Sequence, residues 1–220
     1  MYGASVTSRP DFKSIGAGIS TQFGTLIPPG ANVHYVRSTG AADFDPPEVT
    51  SRLVTTLNSA LSRCRSAKGD FVFCLPGHAE NIDSADEMSN LVASTRIYGI
   101  GEGNDRPTFT WTAAAATFLF NVANVTLANC ILNMDPGTGT TTVAAPVTIS
   151  AAGCRLVGNK IRMGTDANSI VTVGILLSDA ADDCELIGNT IYGATAAECT
   201  TMVDIAGADR LYMAGNTIQG

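Results

Sequence analysis

One octapeptide returns along the second half of this chain. Cys154-Arg155-Leu156-Val157-Gly158-Asn159-Lys160-Ile161 reappears as Cys184-Glu185-Leu186-Ile187-Gly188-Asn189-Thr190-Ile191, and again as Leu211-Tyr212-Met213-Ala214-Gly215-Asn216-Thr217-Ile218. An earlier copy, Val125-Thr126-Leu127-Ala128-Asn129-Cys130-Ile131, is one residue shorter. The asparagines 129, 159, 189 and 216 thus recur at intervals of 30, 30 and 27 residues. Each copy follows a small-residue turn (Ala151-Ala152-Gly153, then 179–183, then 206–209), and before each turn lies an alternating segment, at 118–122, 147–150, 174–178 and 202–205.

A unit of this length cannot bury its own apolar face, so units must stack. Stacked strands sit about 4.8 Å apart, which lays equivalent residues over one another. Leu156, Leu186 and Met213 then form one aliphatic column, and Ile161, Ile191 and Ile218 another. Cys154 over Cys184 makes a thiol stack. Asn159, Asn189 and Asn216 follow glycine at a sharp bend, where Asn tolerates a left-handed backbone, and with Asn129 they predict a side-chain ladder between coils. No helical period accompanies the repeat, which excludes helical arrays, and propeller blades need about 40 residues or more. The expected fold is all-β: a single-stranded right-handed parallel β-helix over 69–220.

Upstream, the pattern changes. Asp45-Pro46-Pro47-Glu48 is a helix-start signal, with Asp45 as N-cap. Val49, Leu53, Leu57, Ala60, Leu61 and Cys64 follow at helical spacing, and Gly69 closes the run. These residues predict one helix over about 47–67, within a 46–68 segment placed to cover the N-terminal end of the solenoid. Residues 1–45 are rich in Gly, Ser, Thr and Pro, with a short alternating segment at Val33-His34-Tyr35-Val36. They read as an arm that becomes ordered on another surface. A solenoid has two raw ends, and the C-terminal one has no such cover in the sequence.

Composition narrows the function classes. Charged residues are only 15% of the chain, the net charge is −7, and no Lys/Arg-rich run exists. Nucleic acid and anionic membrane surfaces are therefore not expected partners. Met1 to Pro10 has no apolar core, so no secretion signal is expected, and no apolar stretch reaches a membrane-spanning length. The six cysteines form no CxxC pair and the two histidines complete no zinc set, so buried free thiols and no metal or cofactor are expected.

Val33 to Asp43, the helical segment, Gly69-Asp70-Phe71-Val72-Phe73-Cys74-Leu75-Pro76-Gly77-His78-Ala79-Glu80-Asn81-Ile82, residues 97–103 and Arg106-Pro107-Thr108-Phe109 form a further series. Over residues 33–220 the chain resembles right-handed β-helix repeat proteins of tailed-bacteriophage virions. The resemblance implies a structural protein, commonly trimeric, on the capsid surface or on a tail fibre or spike. It further implies that the N-terminal arm is the anchor.

Parallel β-helices also host glycan-cleaving enzymes, which need two flanking carboxylates. Asp179, Asp182 and Asp183 share one turn, and Asp209 occupies the corresponding turn of the next coil. These four are the candidate catalytic residues; as turn aspartates they equally satisfy their own backbone. The same acids suit calcium but lack a loop motif. His78 and Glu80 could pair for acid–base work or hold a turn. His34 is assigned no role. Gly99-Ile100-Gly101-Glu102-Gly103 has no Lys and no following helix, so it reads as a bend and not a phosphate loop. Trp111, in a Thr-rich strand, reads as packed rather than sugar-stacking.

The expectation is a non-enzymatic capsid decoration (cement) or head-fibre protein, assembled in the host cytoplasm into the virion. Residues 1–45 would dock on the major capsid protein or another virion protein, and the solenoid would form a homotrimer. The alternative is a tail spike or fibre that binds, and possibly cleaves, host-surface glycan. A secreted carbohydrate lyase is a third class, disfavoured by the N-terminal sequence.

Overall fold

The structure, a computed structural model, describes residues 27–40, 47–85, 87–134, 141–164, 169–193 and 199–219. The chain forms a parallel β-solenoid: three parallel sheets wind around one core. From its C-terminal edge, the eight-stranded sheet runs Tyr212–Ala214, Glu185–Ile187, Arg155–Val157, Thr126–Ala128, Arg96–Gly99, Phe71–Cys74, Val33–Val36 and Leu53–Val54. The six-stranded sheet runs Thr217–Gln219, Thr190–Gly193, Lys160–Met163, Ile131–Met134, Thr108–Trp111 and Ala79–Ile82. In the five-stranded sheet, the long strand Ser169–Ser178 pairs on one side with Cys199–Ala206. On its other side it pairs with both Thr141–Val143 and Val147–Ile149. Pro146, which has no N–H to donate, lies in the gap between those two short strands.

The expected columns are present in register. Leu156 pairs with Leu186 and Leu186 with Met213. Ile161 pairs with Ile191 and Ile191 with Ile218, a single file in one sheet. Both files continue toward the N-terminus beyond the repeat seen in the sequence. The first runs through Leu127, Ile97 and Val72 to His34, and the second through Leu132 and Phe109 to Glu80. Leu127, Leu132, Leu156, Ile161, Leu186 and Ile191 are fully buried, and each such side chain contributes about 1.5–3 kcal/mol of apolar transfer.

The asparagine ladder holds for three members, with a correction at the fourth. Asn189 donates from Nδ2 to Asn216 Oδ1 at 3.1 Å, and Asn159 likewise to Asn189 at 3.2 Å. The same oxygens accept the backbone N–H of Asn189 (2.9 Å) and Asn159 (3.0 Å). Asn129 is not in this file. Ile131 pairs with Lys160, so Cys130 lies level with Asn159, and its N–H donates to Asn159 Oδ1 at 3.0 Å. Asn129 stands level with Gly158 and shares its left-handed backbone, with φ of 57° against 62°. The bend conformation therefore belongs to Gly158, Gly188, Gly215 and Asn129, not to the asparagines that follow the glycines. No residue is missing between bend and strand: Cys130 takes the place of Asn159, Ile131 that of Lys160 and Leu132 that of Ile161, so the bend itself falls on Asn129.

The single helix expected over 47–67 is broken. Pro47–Thr50 and Leu57–Leu61 are helical, and Leu53–Val54 between them is a strand pairing with Tyr35 and Val36. The β-branched run Val54-Thr55-Thr56 favours extended backbone, and Thr56 caps the second helix by accepting from Ser59 N. Leu57, Ala60 and Leu61 are buried against the first strands, so this one-turn helix covers the N-terminal end that the longer helix was expected to cover. The predicted N-cap Asp45 lies outside the described residues, as do most of residues 1–45. Within that predicted arm, Val33–Val36 is a full member of the eight-stranded sheet, paired with Phe71–Cys74, so the solenoid begins well before residue 69. At the other end, the last described coil leaves Ile205, Tyr212, Met213 and Ile218 exposed.

Candidate functional site

The four candidate carboxylates sit at the corner between the five-stranded and eight-stranded sheets. That corner is a column of residues with left-handed backbone: Ala67, Ser94, Asn124, Gly153, Asp183 and Arg210, with φ between 54° and 70°. Its geometry aims each N–H at the next coil. Asn124 N donates to Ala152 O, Gly153 N to Asp182 O and Asp183 N to Asp209 O. Only one of the six is glycine. The ladder bond offsets the roughly 1–2 kcal/mol that a side chain costs in this conformation.

The acids serve the same junction. Asp182 Oδ1 accepts Asp209 N–H at 2.9 Å. Asp183 accepts both Arg210 Nε (2.6 Å) and Nη2 (2.8 Å), a bidentate pair across successive coils. Arg210 pulls the Asp183 carboxyl below its ordinary value, and Asp183 in return raises Arg210. Asp179 lies against Gly207, where any side chain would collide with its carboxylate. The corner thus joins Asp182 to Asp209 and Asp183 to Arg210, and sets Asp179 against Gly207. Asp182 and Asp183 face protein donors from the following coil there. Among the described residues no cluster of three or more His, Cys, Asp or Glu is arranged to hold a metal ion.

His78 and Glu80 are joined, at the N-terminal end of the stack. His78 Nε2 lies 3.0 Å from Glu80 Oε2, and His78 Nδ1 accepts Ser38 N–H at 3.0 Å. An Nδ1 that accepts leaves the ring proton on Nε2, so a neutral imidazole donates to the carboxylate. Glu80 also receives Leu57 N–H, the first donor of the one-turn helix, at 2.9 Å. His78 heads the column that continues through Pro107, Cys130 and Asn159, and Glu80 heads the isoleucine column. The pair closes the core with satisfied polar groups.

Sequence reasoning missed two further parts of this closure. Asp70, with a fully buried side chain, accepts Asn32 N–H (2.6 Å), Arg65 N–H (2.8 Å) and the Arg65 guanidinium (3.0 Å). Burial opposes its charge, but those donors outweigh burial and hold the carboxyl below its ordinary value. His34, assigned no role, caps the leucine column, and among the described residues neither ring nitrogen has a partner at hydrogen-bonding geometry. For His34 the available signal was the pattern break: it stands where every later coil has an apolar residue, from Val72 to Met213.

The remaining candidates are structural. Trp111 is fully buried, donates from Nε1 to Pro146 O at 3.1 Å and meets Phe118 edge-on. Gly99 and Gly101 carbonyls accept Asn129 Nδ2, and a side chain at Gly99 would collide with the Asn129 carbonyl. All six cysteines are free thiols, and Cys74, Cys130, Cys154 and Cys184 are buried. Burial pushes Cys130 up to about 12, and Cys154 is raised by its hydrogen bond to Cys184 and by burial. No family model, no curated protein and no solved structure matches this chain.

Proposed function

We propose that this protein is a non-enzymatic structural component of a bacteriophage virion, a capsid decoration or head-fibre protein. Its solenoid would act as a rigid stack, assembled as a trimer and docked on another virion protein with the help of residues 1–45. The observation that carries the reading is the use made of the charged side chains. Asp182, Asp183, Glu185 and Glu80 bind donors of neighbouring coils, and each thus strengthens the stack. The resemblance of residues 33–220 to phage β-helix proteins supplies the virion context. The exposed apolar side chains of the last described coil offer a surface for a partner.

Mass spectrometry of density-gradient-purified particles tests this reading. The expected result is recovery of this chain at a copy number divisible by three, at one set of symmetry positions in a particle map. Absence from purified virions, or cleavage of a host-surface glycan that is lost in Asp179→Asn/Asp182→Asn, would contradict it.

A further inference from the structure

Among the described residues, the large apolar side chains left exposed all lie in the last coil: Ile205, Tyr212, Met213 and Ile218. Three of them continue buried columns, one in each sheet. Ile205 stands level with Leu177, Met213 with Leu186 and Ile218 with Ile191, and those three partners are fully buried. The exposed surface is therefore the core itself in cross-section, and not a patch on the outer wall.

The chemistry that couples coils is carried one coil further than it is used. From the coil below, Gly188 N–H donates to Ala214 O at 2.8 Å, Asn189 N–H to Asn216 Oδ1 at 2.9 Å and Asp183 N–H to Asp209 O at 3.0 Å. Asp182 Oδ1 accepts Asp209 N–H in return. The equivalent residues of the last coil are Gly215, Asn216, Arg210 and Asp209. Gly215 and Arg210 keep the left-handed backbone of their columns, with φ of 63° and 54°, which aims their N–H groups off the end. No described residue accepts from the N–H of Gly215, Asn216 or Arg210.

The N-terminal end is built differently. There the leucine and isoleucine columns finish in His34 and Glu80, and the Leu57–Leu61 helix covers them. One end of the stack is closed, and the other keeps the form of a template.

These features select the occupant. Exposed apolar area alone would suit a lipid, but three free strand edges call for a polypeptide that pairs with them. A second copy placed head to tail would meet the closed end. A second copy placed tail to tail would set the donors of Gly215 and Asn216 against the same donors. It would also join two acidic rims, because Asp204 and Asp209 have no cation partner among the described residues and Arg210 is held by Asp183.

We propose that the C-terminal end of the stack is a docking seat for a segment of a different chain, which adds one more parallel coil. That segment carries apolar residues five positions apart, to cover Met213 and Ile218. It carries a side-chain oxygen level with Asn216, to accept its N–H, and positive charge to meet the acidic rim. The seat names the kind of partner this surface takes and stands apart from the virion assignment, so its failure would leave the particle measurement unaffected.

A synthetic peptide of residues 151–163 with Cys154→Ser fits that description. It holds Leu156, Asn159 and Ile161 at the required spacing, with Arg155, Lys160 and Arg162 as its cations. Fluorescently labelled and titrated with the full-length chain, it is expected to bind saturably. Binding should weaken about tenfold when its Asn159 is replaced by Ala, which leaves Asn216 N–H without an acceptor. It should weaken also for the Asp209→Lys protein. Amide hydrogen exchange should slow at Gly215 and Asn216 when the peptide is bound. Absence of saturable binding, equal affinity of the Asn159→Ala peptide, or protection outside the last coil would overturn the seat. Sedimentation of the chain alone supplies the final arm. Self-association abolished by Met213→Asp/Ile218→Asp would assign this end to a second copy and overturn the proposal; association unchanged by those substitutions is the expected result.

Discussion

His78 donates from Nε2 to Glu80 across 3.0 Å, with the imidazole fully buried and the carboxylate 8% exposed. The pair lies where the apolar columns end, and Glu80 also holds the first N–H of the helix that covers them. Glu80→Ala removes the acceptor for two donors. Leaving buried donors unsatisfied costs about 1–3 kcal/mol each, so urea unfolding should show a loss of about 2–6 kcal/mol. Glu80→Gln retains an acceptor oxygen and should recover most of that. Equal losses in the two variants would contradict the capping role.

Two buried groups near this end predict acid sensitivity in separate windows. Burial chiefly lowers the His34 pKa. Nearby Arg63 and Arg52 charges lower it further, while the Asp70 carboxylate and the Arg63 backbone raise it. Its folded value lies below the unfolded value of about 6.5, so stability is full above that pH and falls as the pH drops through the gap. Asp70 is also depressed, so its contribution persists until the pH falls below the unfolded value of about 3.9. His34→Leu continues the leucine column and has no polar atoms to bury. Its melting temperature should be no lower than wild type at pH 7.5, and its decline between pH 7 and 5 should be smaller. An unchanged pH slope would remove His34 from this account.

The bend and ladder positions predict opposite tolerances one residue apart. Gly188 has φ of 63° and nothing within 4 Å of an added Cβ, and Asn129 already occupies the equivalent site. Gly188→Asn should therefore cost under about 1 kcal/mol and Gly188→Val about 1–2 kcal/mol or more. Asn189→Ala removes the acceptor for Asn159 N–H and the donor to Leu156 O, and should cost about 2–4 kcal/mol. Chemical denaturation of the three variants checks the ranking.

The Asp183–Arg210 pair is bidentate but exposed, so Arg210→Ala should move the urea midpoint only slightly. The shift should shrink further in 1 M salt, read as the change in urea midpoint. A large fall in the midpoint would mean that the corner carries more of the fold than its exposure implies.

What the sequence disclosed follows from how the coils repeat. Leu156, Ile161, Asn159 and their equivalents were legible because each coil imposes the same burial at the same offset. Asn129 was misplaced because Ile131 was matched with Ile161, and only the pairing of Ile131 with Lys160 and of Leu132 with Ile161 shows that Asn129 takes the bend. The long helix was misread because Val49, Leu53, Leu57 and Leu61 keep helical spacing while Leu53–Val54 gains more from pairing with Tyr35 and Val36. The N-terminal closure stayed hidden for another reason. Its bonds join Ser38, Leu57, His78 and Glu80, residues that meet only after the first coils have stacked. The candidate acids were found as a cluster, but their engagement by Asp209 N–H and Arg210 depends on the left-handed corner, which no local pattern announces.

Coil-on-coil register is the claim on which the rest stands, and a disulfide across two coils tests it most directly. Arg155 and Glu185 are ladder partners on the outer face, so their Cα atoms sit about 4.8 Å apart, within disulfide range. Arg155→Cys/Glu185→Cys should oxidise to an intrachain bond without loss of melting temperature, whereas Arg155→Cys/Ile187→Cys, displaced by two residues, should not close. Closure of the displaced pair in preference to the registered one would contradict the stacked-coil account.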